Sequence, residues 1–562
     1  MALKKLLGKL ARPTRRIVLE LDLARGVLET FPRNPLQMMQ LVGATSLTDL
    51  RDVLRDAADD PRVAGLIVHV ADCGQPLQVL DEIGEVLQEF AATKPTAAWS
   101  ESFGELGDAL GLFKLATACR QVFLQPTGGL GIGGLEVQIT LLKGMLNKAG
   151  VDPQFGQRYE YKTAADQFAA DEVSEANREM TTRIAQSVVD DAVATIARRR
   201  GLDQEQVWQA MNASPLTARQ AQEAGLVDQL AYRDEVYAQL LSQWQATPEQ
   251  LLFVSRHQAR SQGMRKLCGR GRGKVAVISL RGGIVTGRGG RSPFGGETAG
   301  SDLVDEHFRA VLRDDDVKAV LFDVESPGGS AVASDLIRRS VLRVRESGRP
   351  VVARMGKVAA SGGYYVSMPC DEIVALPTTL TGSIGVVAGK FVTRRLQELL
   401  GITREPVRIG AAAGMMSSAT EFTTEDWERL NQELDRIYET FTTFAAEDRG
   451  MSKEMLETVA KGRVWTGADA RERGLIDHLG GWNLAWQRAC ALADIDPRTA
   501  VAQRIGTGSL LEKVIPARSS EHRAGSTRTI WPGSEQSWIG LAAHVGLHVE
   551  GALALPWRFD LR

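Results

Sequence analysis

The stretch VKAVLFDVESPGGSA, residues 317–331, decides the fold. From Val317 to Val324 it is a strand-length run of mostly apolar residues, and it ends in a turn of small residues containing Pro327, Gly328 and Gly329. This pattern predicts a buried strand leading into a loop. The residues that follow, SDLIRRSVLRVRESG from Ser334, place apolar side chains at helical spacing, so the unit is strand, turn, helix.

The chain contains this unit twice. RVAGLIVHVADCGQP (62–76) echoes it. Further on, CRQVFLQPTGGLG (119–131) parallels CDEIVALPTTLTGSIG (370–385), and LTARQAQEAGLVDQL (216–230) parallels WTGADARERGLIDHL (465–479). Three segments in the same order, each displaced by about 250 residues, mark an internal duplication. Strands alternating with helices in each copy predict an α/β architecture with parallel strands. Helical patterns at 176–200 and 425–449 extend the two copies. The expected plan is a basic amphipathic segment at 1–16, a first repeat at 17–250, a basic linker at 251–274, a second repeat at 275–495 and a C-terminal extension at 496–562. The stretch RGGIVTGRGGRSPFGGETAG (281–300) is expected to be irregular because of its glycine content.

Composition narrows the function. With 24% charged residues and a formal net charge of -2, the chain lacks the basic excess of a protein built to neutralise phosphates, so nucleic acid is not an expected partner. Five dispersed cysteines without a CxxC pair read as reduced thiols. The His544–His548 pair lacks the glutamate of a zinc protease, and the glycine-rich stretch 281–300 lacks the strand–GxGxxG–helix context of a dinucleotide site and the GK[ST] of a P-loop, so neither metal nor cofactor is expected. The start, MALKKLLGKLARPTRR, has no apolar run of signal-peptide length. Its leucines at helical spacing fit either a helix lying on an anionic membrane surface or a terminus that binds nothing. The tail SWIGLAAHVGLHVEGALALPW (537–557) has two readings as well, a peripheral membrane contact or a helix packed on its own domain. Pro377, Gly382 and Gly385 interrupt the uncharged stretch 373–389, so no transmembrane helix is expected and the location reads as membrane-associated or cytoplasmic.

Differences between the copies point to chemistry. The second copy ends its strand in ESPGGSA, where amides of a Gly-Gly turn can face a developing negative charge; the first reads ADCGQP there. In KVAASGGYYVS (357–367), Ser361 sits among alanines and glycines, as a displayed nucleophile or a packed hydroxyl. Alignment on Cys119 and Cys370 sets Leu110 opposite Ser361 and Gly111 opposite Gly362, so the first copy has no counterpart hydroxyl. None of the seven histidines has a neighbourhood that nominates it as the base. The alternative is a lysine kept neutral by burial. In QRYEYKTAADQF (157–168), Lys162 has uncharged near neighbours, while the equivalent region 408–422 has no lysine. Lys162 also reads as a surface lysine with a buried stem.

Taken together, ESPGGSAVAS (325–334), KVAASGGYYVS (357–367), PTTLTGSIGV (377–386), YEYKTAAD (159–166) and VWTGADARERGLID (464–477) resemble the long, tandem-repeat form of signal peptide peptidase A. That family consists of Ser–Lys proteases of the ClpP/crotonase-like fold. The resemblance implies two tandem ClpP/crotonase-like domains built from repeated ββα units, with helical extensions. It implies Ser361 as nucleophile, Lys162 as general base and Ser383 as the residue that orients the lysine, with amides of Gly362 and of Gly328 or Gly329 forming the oxyanion hole. It further implies a homotetramer acting on cleaved signal peptides and other unfolded apolar peptides. Two other readings compete: a crotonase-like acyl-CoA enzyme, and an inactive membrane-associated scaffold.

Overall fold

A computed structural model describes residues 16–28, 45–105, 107–257, 273–291, 297–506 and 553–554. Residues 1–15 of the N-terminal segment, most of the basic linker and all of the apolar tail except 553–554 lie outside the described residues. The chain divides into two compact units: the described residues of 1–136 and 189–270 form one, and those of 137–188 and 271–559 form the other. Residues 137–188, including Lys162, thus belong to the same unit as Ser361 although they fall within the first repeat by sequence.

Unit 1 is built on a six-stranded sheet. Its order is Gln229–Leu230, Gln121–Leu124, Thr96–Ser100, Val63–His69, Ile17–Asp22 and Leu251–Phe253, and all neighbours are parallel. In unit 2 the series His478–Leu479, Glu372–Ala375, Val351–Ala360, Val317–Ser326, Lys274–Arg281 and Val501–Arg504 repeats that order, again parallel throughout. The α/β class and the duplication are therefore as the sequence predicts. Two boundaries move. Leu251–Phe253, assigned to the linker, and Val501–Arg504, assigned to the C-terminal extension, are equivalent edge strands. Leu251–Phe253 is apolar but only three residues long, shorter than the run that marks a strand, and Val501–Arg504 is largely exposed with two polar residues of four.

The strand Val317–Ser326 is buried at nearly every position, as the central strand of a covered parallel sheet must be. The helix Ala331–Glu346 follows the glycine turn; Ser330 caps it by accepting the Ala333 N–H at 3.3 Å, and Ile337, Val341 and Val344 enter the core. Each such side chain contributes roughly 1.5–3 kcal/mol by leaving water. The two long helices occur at Glu175–Arg200 and Thr424–Arg449.

The glycine-rich stretch 281–300 corrects an expectation. It forms the short strands Gly283–Val285, Gly289–Arg291 and Glu297–Gly300, part of a five-stranded sheet that includes Gly328–Gly329 and Leu553–Ala554. Strand pairing uses backbone groups, so a lack of side chains did not prevent it. Among the described residues no helix is long and apolar enough to cross a membrane.

Candidate active site

Ser361 follows directly on the strand Val351–Ala360 and precedes the short helix Gly362–Ser367. Its φ of 56° and ψ of -114° form a strained turn for a residue with a Cβ. The turn is held from both sides. Ser361 donates its N–H to the Gly382 carbonyl at 2.8 Å and accepts the Tyr365 N–H at 2.9 Å. Ala359 and Ala360 continue the strand by pairing with Thr381 and Gly382. Ser383, next after that neighbouring strand, also has a positive φ of 52°, and its N–H is anchored on the Arg463 carbonyl at 2.7 Å.

Lys162 reaches this place on a separate support. The strand Asp152–Arg158 pairs antiparallel with Val386–Val392, from Asp152 opposite Val392 to Arg158 opposite Val386. This joins the lysine segment to the strand that leaves Ser383. Beyond it the chain turns, with Lys162 donating its N–H to the Tyr159 carbonyl at 3.1 Å. Gly462 makes the approach possible. It has φ +85°, and a Cβ there would lie 2.4 Å from the Lys162 Cβ.

The three side chains meet. Lys162 Nζ lies 2.8 Å from Ser361 Oγ, 2.9 Å from Ser383 Oγ and 3.1 Å from the Ser383 carbonyl oxygen. Lys162, Ser361 and Ser383 are each 0% exposed. No carboxylate shares the hydrogen bonds of this amine among the described residues. Burial is accordingly the cause that pushes the Lys162 amine down from 10.5 to about 7. A neutral amine has two N–H donors and one lone pair, and the three partners match that set. It can donate to the Ser383 carbonyl and hydroxyl while accepting the Ser361 proton.

Lys114 in unit 1 shows what a structural lysine requires instead. It is also buried, and burial alone would lower it, but Asp81 and Asp191 each stand 2.6 Å from its Nζ and hold it above its ordinary value. The difference between the two lysines is the absence of a counter-charge at Lys162. Desolvation without compensation is characteristic of a functional amine.

The glycine pair lies beside Ser361. Gly328 donates its N–H to Ser326 Oγ at 3.1 Å. Gly329 has φ +151°, and a Cβ there would come 2.1 Å from the Ile284 carbonyl, so no side chain fits. A Cβ on Gly362 would lie 3.1 Å from Gly329 N, which brings the backbone after Ser361 against the glycine turn. In unit 1, Leu110 is a buried apolar residue that opens the short helix Leu110–Ala116, whereas Ser361 stands one residue before its helix.

Ser361, Lys162, Ser383, Gly362, Gly328 and Gly329, all singled out in the sequence, are thus brought together. Ser361 Oγ has Lys162 as its side-chain partner among the described residues; His478 instead pairs with Glu372 at 3.2 Å. No cluster of histidines, cysteines and acids able to hold a metal occurs among the described residues. The sequence did not nominate Gly462 or the clamp on the segment that follows it. Arg183 grips Asp469 with two hydrogen bonds of 3.0 and 2.6 Å, and Ser187 meets Thr466 at 2.6 Å. These contacts tie the helix beyond Lys162 to the VWTGAD segment, whose neighbour Arg463 anchors Ser383. Their spacing of more than 270 residues leaves no local signal.

Known proteins resemble the chain over most of its length. The family model Peptidase family S49 matches residues 88–246 and again 343–496. The chain is 33% identical over 453 residues to "Serine protease SPPA, chloroplastic" of Arabidopsis thaliana, covering 80% of this chain and 65% of that protein. It is 30% identical over 511 residues to "Protease 4" of Salmonella typhi, covering 87% of this chain and 80% of the relative. "Protease 4" of Haemophilus influenzae is 28% identical over 475 residues, with 81% and 74% covered.

Proposed function

The chain belongs to peptidase family S49, and from that premise we propose that it is a serine endopeptidase working through a Ser361–Lys162 dyad on unfolded apolar peptides, cleaved signal peptides among them. The observation that carries the reading is the contact of 2.8 Å between Lys162 Nζ and Ser361 Oγ, buried and without a carboxylate nearby in the hydrogen-bond set.

In this mechanism the neutral Lys162 amine takes the Ser361 proton as Oγ attacks the scissile carbonyl. The C–O bond to serine forms and the carbonyl π bond opens to an oxyanion. Amides of Gly362 and of the glycine turn stabilise that charge. Ser326 already holds the Gly328 N–H, which favours Gly329 as the second donor. The lysine ammonium then gives its proton to the leaving amine, and the acyl-enzyme forms. In deacylation, water donates its proton to the regenerated amine, attacks the ester, and Ser361 leaves with a proton returned from Lys162. Ser383 keeps the amine pointed at Oγ throughout by occupying its other hydrogen-bonding positions.

Substrate would add as an extended strand beside Gly328–Gly329. A homotetramer and a peripheral membrane association, the latter through the basic leucine-rich N-terminal segment, complete the proposal. The domain plan, with the edge strands Leu251–Phe253 and Val501–Arg504 added to the repeats at 17–250 and 275–495, has the lysine supplied by the first repeat in sequence and the serine by the second. The test is hydrolysis of a fluorogenic apolar peptide by the full chain alongside Ser361→Ala and Lys162→Ala. Loss of turnover in both variants supports the dyad. Undiminished turnover by Lys162→Ala refutes it.

A further inference from the structure

Lys162 lies in a turn between the strand Asp152–Arg158 and the short helix Asp166–Ala169, so no ladder of backbone hydrogen bonds fixes it. Ser383 likewise stands just past its strand, Leu380–Gly382, and gives its N–H to the Arg463 carbonyl at 2.7 Å. These two turn residues must nevertheless keep their side chains 2.9 Å apart. Gly462 and Arg463 meet both of them. Gly462 backs onto the Lys162 Cβ, and Arg463 holds Ser383.

The Arg463 side chain then returns to the lysine segment. Its Nη2 donates to Glu179 Oε1 at 2.6 Å. Its guanidinium carbon lies 4.7 Å from the centre of the Tyr161 ring and 4.4 Å from that of Trp465. Tyr161, the residue before Lys162, donates its hydroxyl to Glu179 Oε2 at 2.6 Å. One carboxylate thus takes a guanidinium on one oxygen and a phenol on the other, while the flat cation covers both rings. The helix Glu175–Arg200 delivers Glu179 on the face that also carries Arg183 and Ser187, at successive spacings of four. Those two reach Asp469 and Thr466, so the same face runs along the segment that Arg463 opens.

We propose that Arg463 is a positioning residue for the dyad: its carbonyl sets Ser383, its side chain sets Lys162 through Tyr161 and Glu179, and one residue thereby fixes the amine against the hydroxyl that orients it. The proposal rests on the Ser361–Lys162 reading. Glu179 is half-exposed, and an exposed ion pair by itself contributes little to stability. The consequence of losing Arg463 is instead geometric. A misplaced amine slows turnover without weakening peptide binding. Water reaching that amine also undoes the burial that holds it near 7, and moves it back toward 10.5.

The test compares the full chain with Arg463→Met, Arg463→Lys and Glu179→Gln, and with Arg473→Met as a control. Lysine keeps the charge but cannot reproduce the flat stack. Arg473 also covers the Trp465 ring, at 3.9 Å, but pairs with Asp469 and Glu472. Turnover of a fluorogenic apolar peptide is followed from pH 6 to 10, and hydrogen exchange of the Ser383 amide is followed by mass spectrometry. Both Arg463 variants are expected to lower kcat about tenfold with KM within about twofold, and to raise the midpoint of the pH profile by about one unit. The Ser383 amide should exchange about tenfold faster in them. Glu179→Gln should move each quantity the same way by less, and Arg473→Met should match the parent. Parent kcat and midpoint in Arg463→Met, or an equal loss in Arg473→Met, overturns the proposal. If the parent hydrolyses no peptide but the Ser383 amide exchanges faster in Arg463→Met than in Arg473→Met, the positioning contact stands and the peptidase reading falls. If the parent hydrolyses peptide and the Arg463 variants match it in turnover, midpoint and exchange, the positioning role falls and the peptidase reading stands.

Discussion

Replacing Lys162 with methionine removes an ammonium that folding strips of water, and the consequence is a stability difference that changes with pH. The folded amine sits at about 7 and the ordinary value is 10.5. At about 1.4 kcal/mol per unit, burying the charged form costs roughly 5 kcal/mol. Because the folded pKa is depressed, the unfolded chain holds a proton between pH 7 and 10.5 that the folded chain releases. Folding stability therefore rises with pH across that window. The penalty is about 4 kcal/mol at pH 7, about 2 at pH 9, and is nearly gone above pH 10.5. Methionine is also unbranched, reaches as far as the lysine Cε, and never incurs it. It does leave the Ser361 and Ser383 hydroxyls without the amine, at a cost of roughly 1–3 kcal/mol that does not vary with pH in this range. Lys162→Met is thus expected to be more stable than the parent at pH 7, with its advantage shrinking by about 2 kcal/mol at pH 9. The assay is hydrogen exchange of the slowest amides in Val351–Ala360, corrected for the intrinsic rate at each pH, since these report opening of that unit. A difference that stays constant from pH 7 to 9 would refute the claim that Lys162 is desolvated without a counter-charge.

Three further substitutions probe the geometry. Ser383→Ala removes one of the hydrogen bonds that aim the amine but leaves the Ser383 carbonyl in place, so kcat for a fluorogenic peptide should fall about 10- to 100-fold with KM little changed. Gly329→Ala forces a Cβ against the Ile284 carbonyl at a φ unsuited to L residues, and steady-state kinetics should show kcat/KM at least 100-fold lower. Gly462→Ala touches neither reacting group yet pushes on the Lys162 backbone, so turnover should drop by at least tenfold while circular dichroism shows the secondary structure retained.

What could be read without the structure followed the range of the interaction. Val317–Ser326 announced itself because a central parallel strand is apolar on both faces. The edge strands did not: Leu251–Phe253 is too short for its three apolar residues to stand out, and Val501–Arg504 is exposed and half polar. The strands within 281–300 were hidden because glycine is a poor indicator of pairing made by backbone alone. At the site, Ser361 stood out through its small neighbours and the missing counterpart at Leu110. Lys162 could not be separated from a surface lysine by its neighbours, because its desolvation comes from the unit formed by 137–188 with 271–559. The resemblance to a known family supplied what local pattern lacked. Gly462 and the Arg183–Asp469 clamp had no signal of either kind, as their roles exist only through contacts distant in sequence.

The most direct test of the central claim is the rate at which a fluorophosphonate probe acylates the full chain between pH 5 and 9, with the modified residue located by peptide mass mapping. The account predicts labelling at Ser361 at a rate that rises through one midpoint near pH 7, as the Lys162 amine loses its proton, and that is lost in Lys162→Ala. Labelling at another residue, a rate flat across that range, or equal labelling of Lys162→Ala would contradict it.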